Sequence, residues 1–176
     1  ASLGLLSRVV GELLIVLPEI DIAFATEVRM TAAAAWSRGS IRVLSVGEDV
    51  PWHTAHAVLN IGTQVIDNHH CTTINCNGWV ARMTNRAPLP TDVSQTNALA
   101  ALMAASLGAT EIFKRVYEVS EEIAPLVNRV DYSLYEQRTS PSNIGPHLPP
   151  TITLPDTLLV GGGAIGLYGR FRQAAV

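Results

Sequence analysis

Two β-prone runs joined by Asn77-Gly78 restrict the fold of this chain more than any other feature. Thr72-Thr-Ile-Asn-Cys-Asn77 leads into Gly78-Trp-Val-Ala-Arg-Met83, and an Asn-Gly pair tolerates the positive φ of a type I′ turn, so the spacing predicts a hairpin over 72–83. After a loop at Ala87-Pro-Leu-Pro-Thr91, Ser94 or Thr96 is placed to cap a long helix in which Leu99, Leu102, Met103, Ser106, Leu107, Thr110 and Phe113 recur at helical spacing. Ala100, Ala101, Ala104, Ala105, Gly108 and Ala109 on the same helix are small enough to let it approach a sheet closely. A hairpin feeding such a helix belongs to an α/β fold with that helix in the core.

The remainder of the chain is read against this centre. Leu5, Leu6, Val9, Val10, Leu13, Leu14 and Leu17 form a helical stripe that Pro18 stops, predicting a first helix over residues 2–17. Ile20, Ile22 and Phe24 alternate as in a strand over Glu19–Phe24, and Thr26 can cap a second helix running to Arg38 and ending at Gly39. Ile41, Val43 and Leu44 predict a strand, and Ala57–Ile61 a short buried one bounded by Gly62. From Val119 to Pro155 the pattern gives way to a Pro-rich connector, with Tyr132–Tyr135 able to add an edge strand, and a domain boundary is placed near residue 150.

Composition narrows the function classes. At 176 residues the chain has room for one well-buried domain plus a fragment. Hydrophobic residues make up 48% and charged residues 15%, a small supply of solvating surface, so part of that surface is expected to meet another protein, as in a homo-oligomer. The 12 basic residues are dispersed along a chain of net charge −3, which leaves no electrostatic footprint for nucleic acid. Apolar runs such as Leu13–Leu17 and Ala32–Trp36 fall well short of the roughly 20 residues that span a bilayer. Cys71 and Cys76 make no disulfide framework, which points to reduced thiols and a cytoplasmic location. The chain opens at Ala1 with neither Met nor a basic leader, as a processed, trimmed or excised segment would.

The residues that carry chemistry come late. Thr157-Leu-Leu-Val160 is a short apolar stretch running into Gly161-Gly-Gly163-Ala-Ile-Gly166 and then into residues able to start a helix. In a strand–turn–helix of this kind Gly161 permits the tight turn, Gly163 lets the backbone approach a phosphate, and Gly166 lets the helix sit against the strand, with the phosphate at the helix N-terminus. The acidic residue that grips a ribose follows such a loop by about 20 residues. Val176 lies ten residues past Gly166, so these residues hold at most half of a nucleotide site.

Three stretches, Ile74-Asn-Cys-Asn-Gly-Trp-Val-Ala-Arg82, Asn97-Ala-Leu-Ala-Ala-Leu-Met-Ala-Ala-Ser-Leu-Gly-Ala-Thr-Glu-Ile-Phe-Lys114 and Leu158-Leu-Val-Gly-Gly-Gly-Ala-Ile-Gly166, resemble in order and spacing the ThiF-type (ubiquitin-activating-enzyme-like) adenylyltransferases that carry a non-catalytic α/β region ahead of the adenylation domain. The resemblance implies a Rossmann-like layered domain over 1–150, with a mixed sheet, a hairpin and a long core helix. Residues 151–176 are then the first strand and glycine turn of a second, nucleotide-binding fold. It further implies that the complete protein binds ATP and Mg²⁺ and adenylates the C-terminus of a ubiquitin-like or sulfur-carrier protein, with Gly161, Gly163 and Gly166 at the cofactor. This chain alone would bind no cofactor, and its catalytic residues are unknown. Two alternatives stand beside it: a non-enzymatic, self-associating structural module, and a fragment of an NAD- or FAD-dependent oxidoreductase, which uses the same glycine loop.

Other candidates have plainer explanations. His53, His56, His69, His70, Cys71 and Cys76 are metal-ligand types, but their spacing fits no standard zinc site and no metal is assigned. Neither Cys has neighbours in sequence that would lower its pKa. Glu111 and Lys114, with Glu121 and Glu122 after them, read as solvated charge and helix pairing, and Trp79 as an aromatic packed on the hairpin rather than a partner anchor.

Overall fold

The computed structural model describes residues 2–149 apart from 9, 18–21, 36–38, 46–49, 51–53, 64–65, 67–69, 86–87, 91 and 93. In chain order the elements are α1 (Ser2–Leu6), β1 (Glu12–Leu17), α2 (Ile22–Ala34), β2 (Ser40–Ser45), β3 (Val58–Ile61), β4 (Cys71–Asn77), β5 (Val80–Thr84), α3 (Ala98–Val116), β6 (Arg129–Ser133) and β7 (Arg138–Thr139). They make an α/β fold with a parallel pair, β1–β2, and a mixed five-stranded sheet in the order β3-β4-β5-β6-β7. β3 runs parallel to β4, and the remaining neighbours are antiparallel.

The hairpin forms one residue out of step with expectation. Asn77 pairs with Val80, so the turn residues are Gly78 and Trp79 rather than Asn77 and Gly78. Gly78 has φ 53° and Trp79 no positive φ, the pattern of a turn with glycine at its first central position. Asn77 is held in the ladder because its side chain is already committed: Oδ1 accepts from Ser94 N, Ser94 Oγ and Gln95 N.

Helix α3 lies on this sheet with its small side inward. Ala100, Ala104, Ala105 and Gly108 are buried, and Ile74, Ala81, Met83, Ala104 and Ala105 form the core, flanked by Leu59, Met103, Leu107 and Val130. A Cβ added to Gly108 would stand 2.7 Å from Leu59 Cδ1 and 2.8 Å from Ile74 Cγ2, so the approach depends on glycine there. The larger stripe reaches the core only through Met103 and Leu107, while its ends, Leu99 and Phe113, remain 47% and 44% exposed. Asn97 caps the helix, its Oδ1 accepting from Leu99 N and Ala100 N, in place of Ser94 or Thr96. Ser94 is occupied with Asn77.

The N-terminal expectations are corrected. The stripe over 2–17 is not one helix: α1 ends at Leu6, and Glu12–Leu17 is a strand paired in parallel with Ser40–Ser45. The contiguous apolar run with β-branched Ile15 and Val16 suits a ladder strand, and Ser40 N donates to Gly11 O where the pair begins. Ile22 and Phe24, read as strand residues, open α2; Thr26 Oγ1 donates to Ile22 O within that helix and caps nothing. Three alternating residues were too few to distinguish the two periods. The expected strand at Ile41–Leu44 forms as β2, and the one ending at Ile61 forms as β3.

Part of the expected connector is sheet. Arg129–Ser133 pairs with β5 on one side and β7 on the other, so β6 is an interior strand ending at Ser133 rather than an edge strand at Tyr132–Tyr135. Among the described residues no helix is long and apolar enough to cross a membrane.

Candidate functional site

Gly161, Gly163 and Gly166, with the stretch 151–176 that contains them, lie outside the described residues. Within the described region, polar chemistry gathers in two places, on the sheet face turned away from α3 and at the C-terminal end of α3.

Side chains alternate along a strand, so with Ile74 and Met83 facing α3, Asn75, Asn77, Val80, Arg82 and Asp131 stand on the other face. That face is polar and yet covered, because two loop segments cross it. One, carrying Pro90, Asp92, Ser94 and Gln95, is held by Asn75 Nδ2 donating to Pro90 O at 3.0 Å, by Asn77 Nδ2 donating to Asp92 O, and by the three bonds to Asn77 Oδ1. The other, residues 140–147, is held by Glu136, which accepts from Ser142 Oγ, Ser142 N and Asn143 N, and by Trp79. Trp79 N donates to Ile144 O at 2.7 Å and its Nε1 to Pro146 O at 2.8 Å. The segments meet at the hairpin tip, where Gln95 Nε2 and His147 Nε2 are 3.2 Å apart. The hydrogen bonds around Glu136, together with Arg138, hold its carboxyl down to about 2.

Beside the second segment lies a cleft of about 300 Å³ lined by Val80, Arg82, Asp131 and residues 140–144. Arg82 is 9% exposed, and its Nη1 donates to Asp92 Oδ1 at 2.8 Å. Asp92 sits on an exposed loop, and this bond draws its carboxyl below the usual carboxylate range. Asp131 stands across the ladder from Arg82; its Oδ2 accepts from Arg129, while its buried Oδ1 has no partner among the described residues.

The second cluster corrects the reading of Glu111 as solvated. Glu111 is 2% exposed and its carboxylate is fully used: Oε1 accepts from Lys114 Nζ at 2.6 Å, and Oε2 accepts from Asn85 Nδ2 at 2.7 Å and Val127 N at 3.0 Å. Asn85 also donates to Val127 O and accepts at Oδ1 from Thr72 and Arg115, and Lys114 donates to Pro125 O. Together these contacts tie the end of the helix to Asn85 after β5 and to Pro125 and Val127 in the segment before β6, so this is a fastener. Sequence distance hid it, since Asn85 and Val127 lie 26 and 16 residues from Glu111.

Trp79 is packed as expected, gripped by residues 144–146 with its ring 6.3 Å from that of Tyr135. Burial pushes both thiols up, Cys71 chiefly by desolvation against a weaker pull from Thr73, Asn60 and Arg115, and Cys76 chiefly by desolvation against Asn97 and Arg82. Neither is an activated nucleophile. Among the described residues no three of His, Cys, Asp or Glu gather to hold a metal ion; His53 and His69 lie outside them. No family model matches the chain, and no curated protein matches its sequence.

Proposed function

We propose that this chain is the front part of a ThiF-type adenylyltransferase, in which residues 1–150 form a non-catalytic, Rossmann-like module and Gly161, Gly163 and Gly166 open the ATP site. The observation that carries the first half is how the module spends its polar groups. Asn77, Glu111 and Glu136 are each saturated by the module's own loops, and both thiols are pushed away from reactivity. Such a region organises chains and leaves the reaction to another part of the protein. The second half rests on the strand-to-glycine stretch at 157–166, where backbone N–H groups and a helix N-terminus would receive phosphate. ATP and Mg²⁺ are the implied cofactors, and a ubiquitin-like or sulfur-carrier protein the acceptor. The test is ATP–pyrophosphate exchange by the full protein in the presence of such an acceptor. Exchange that disappears with Gly163→Val supports the reading; tight binding of NAD with no exchange would favour an oxidoreductase instead.

A second reading, a self-associating structural module, is favoured by α2. This helix of 13 residues buries only Ala32, while Ile22, Phe24 and Met30 stand 83%, 47% and 68% exposed. Apolar side chains so placed favour covering by another protein surface. Light scattering that gives a strict monomer at all concentrations would remove it.

A further inference from the structure

We propose that the cleft over β5 and β6 binds a small carboxylic acid, which Arg82 receives in exchange for Asp92. The inference is independent of the adenylyltransferase reading and rests on three observations. Arg82 is buried to nine-tenths, and among the described residues its guanidinium makes one hydrogen bond, Nη1 to Asp92 Oδ1. A guanidinium offers five donors in a planar fork suited to a carboxylate, so most of that capacity is uncommitted, and Arg82 lines the cleft.

The group that satisfies Arg82 is itself exchangeable. The Asp92 side chain is 63% exposed while that of Arg82 is 11% exposed, so the anion can turn into water and the cation cannot. Asn77 holds the main chain of this segment through Asp92 O, so the carboxylate can leave without the loop. The cleft also sets the charge of what replaces it. Arg82 and Arg129 stand with Asp92 and Asp131, a neutral set, and one incoming carboxylate substitutes for Asp92 without changing the balance. A phosphate would bring a second negative charge beside Asp131. The cleft of about 300 Å³ is at the small end of ligand sites and fits an acid of a few carbons.

Butyrate, neutral butyramide and inorganic phosphate serve as probes, titrated into the intact chain at neutral pH while the Arg82 Nε–H and the backbone amides of Val80, Ser142 and Asn143 are followed by NMR. Butyrate, with one negative charge, is expected to give saturable shifts at these groups, butyramide none, and phosphate weaker ones. Asp92→Asn removes the internal competitor and should tighten butyrate about tenfold, the worth of one hydrogen bond to a charged group. Arg82→Gln should abolish binding, and Arg82→Lys should weaken it, because the planar fork is lost. Because Asp92 is exposed, Asp92→Asn decides the matter even if the Arg82 variants fail to fold. Unchanged butyrate affinity in Asp92→Asn, or phosphate binding as tight as butyrate, overturns the proposal.

Discussion

Glu136 shows how much one carboxylate in a turn can organise. It gathers Ser142, Asn143 and Arg138, and its pKa falls from 4.5 to about 2. A group whose folded pKa is depressed contributes stability that is present above its unfolded pKa and lost as the solution is acidified through the folded one. The stability difference between the natural protein and Glu136→Gln is therefore full at pH 7, declines below about 4.5 and is gone near 2, as urea midpoints across that range would measure. Glu111 makes the buried counterpart. Removing one partner of a buried pair leaves an uncompensated charge, so Glu111→Ala strands Lys114 and should cost about 3–5 kcal/mol in equilibrium unfolding. Neither role was visible locally. Glu111 and Lys114 at a spacing of three look like any surface pair on a helix, and what buries them is Asn85 and the turn before β6.

At the scale of elements, the hairpin and α3 could be read because their signals are local. Asn-Gly between β-prone runs needs no distant partner, and a helix lined with Ala and Gly is marked for close packing wherever it lies. Which side of α3 faces in was harder: the larger stripe has the stronger helical period, but the sheet buries the small side, and of the stripe only Met103 and Leu107 flank the core while Leu99 and Phe113 stay exposed. Gly108→Ala tests this. Alanine in a helix interior gains up to about 1 kcal/mol over glycine. The added methyl meets Ile74 Cγ2, a β-branched and 3% exposed side chain with little room to move. Overpacking costs typically about 1–3 kcal/mol, so the clash should win and the variant should unfold at lower denaturant. Asn97→Ala removes the observed cap and should cost about 1 kcal/mol, whereas Thr96→Ala should be near neutral by the same measurement. Leu13–Leu17 and Ile22–Phe24 were misassigned for a physical reason. A short apolar run suits either period, and for Leu13–Leu17 the choice was made by pairing with Ser40–Ser45, a strand whose own pattern does not say which segment it pairs with.

For the molecule as a whole, the described region holds the parallel β1–β2 pair and a five-stranded sheet with one helix-covered core face and one polar face, the latter strapped by the segment of Pro90, Asp92, Ser94 and Gln95 and by residues 140–147. The straps account for why a stretch as polar and Pro-rich as Pro141–Pro149 belongs with the sheet: Trp79, Glu136 and Asp131 O supply its anchors. Of the candidate sites, the glycines were legible as a motif, while the Arg82 cleft was not, since it needs Asp92 and Asp131 brought from ten and 49 residues away. The account stands on Gly161–Gly166 receiving a nucleotide phosphate. Hydrogen exchange of the full protein, with and without ATP and Mg²⁺, tests that most directly. Slowed exchange confined to the amides around 161–166 is the predicted result, and exchange there that ATP leaves unchanged would contradict it.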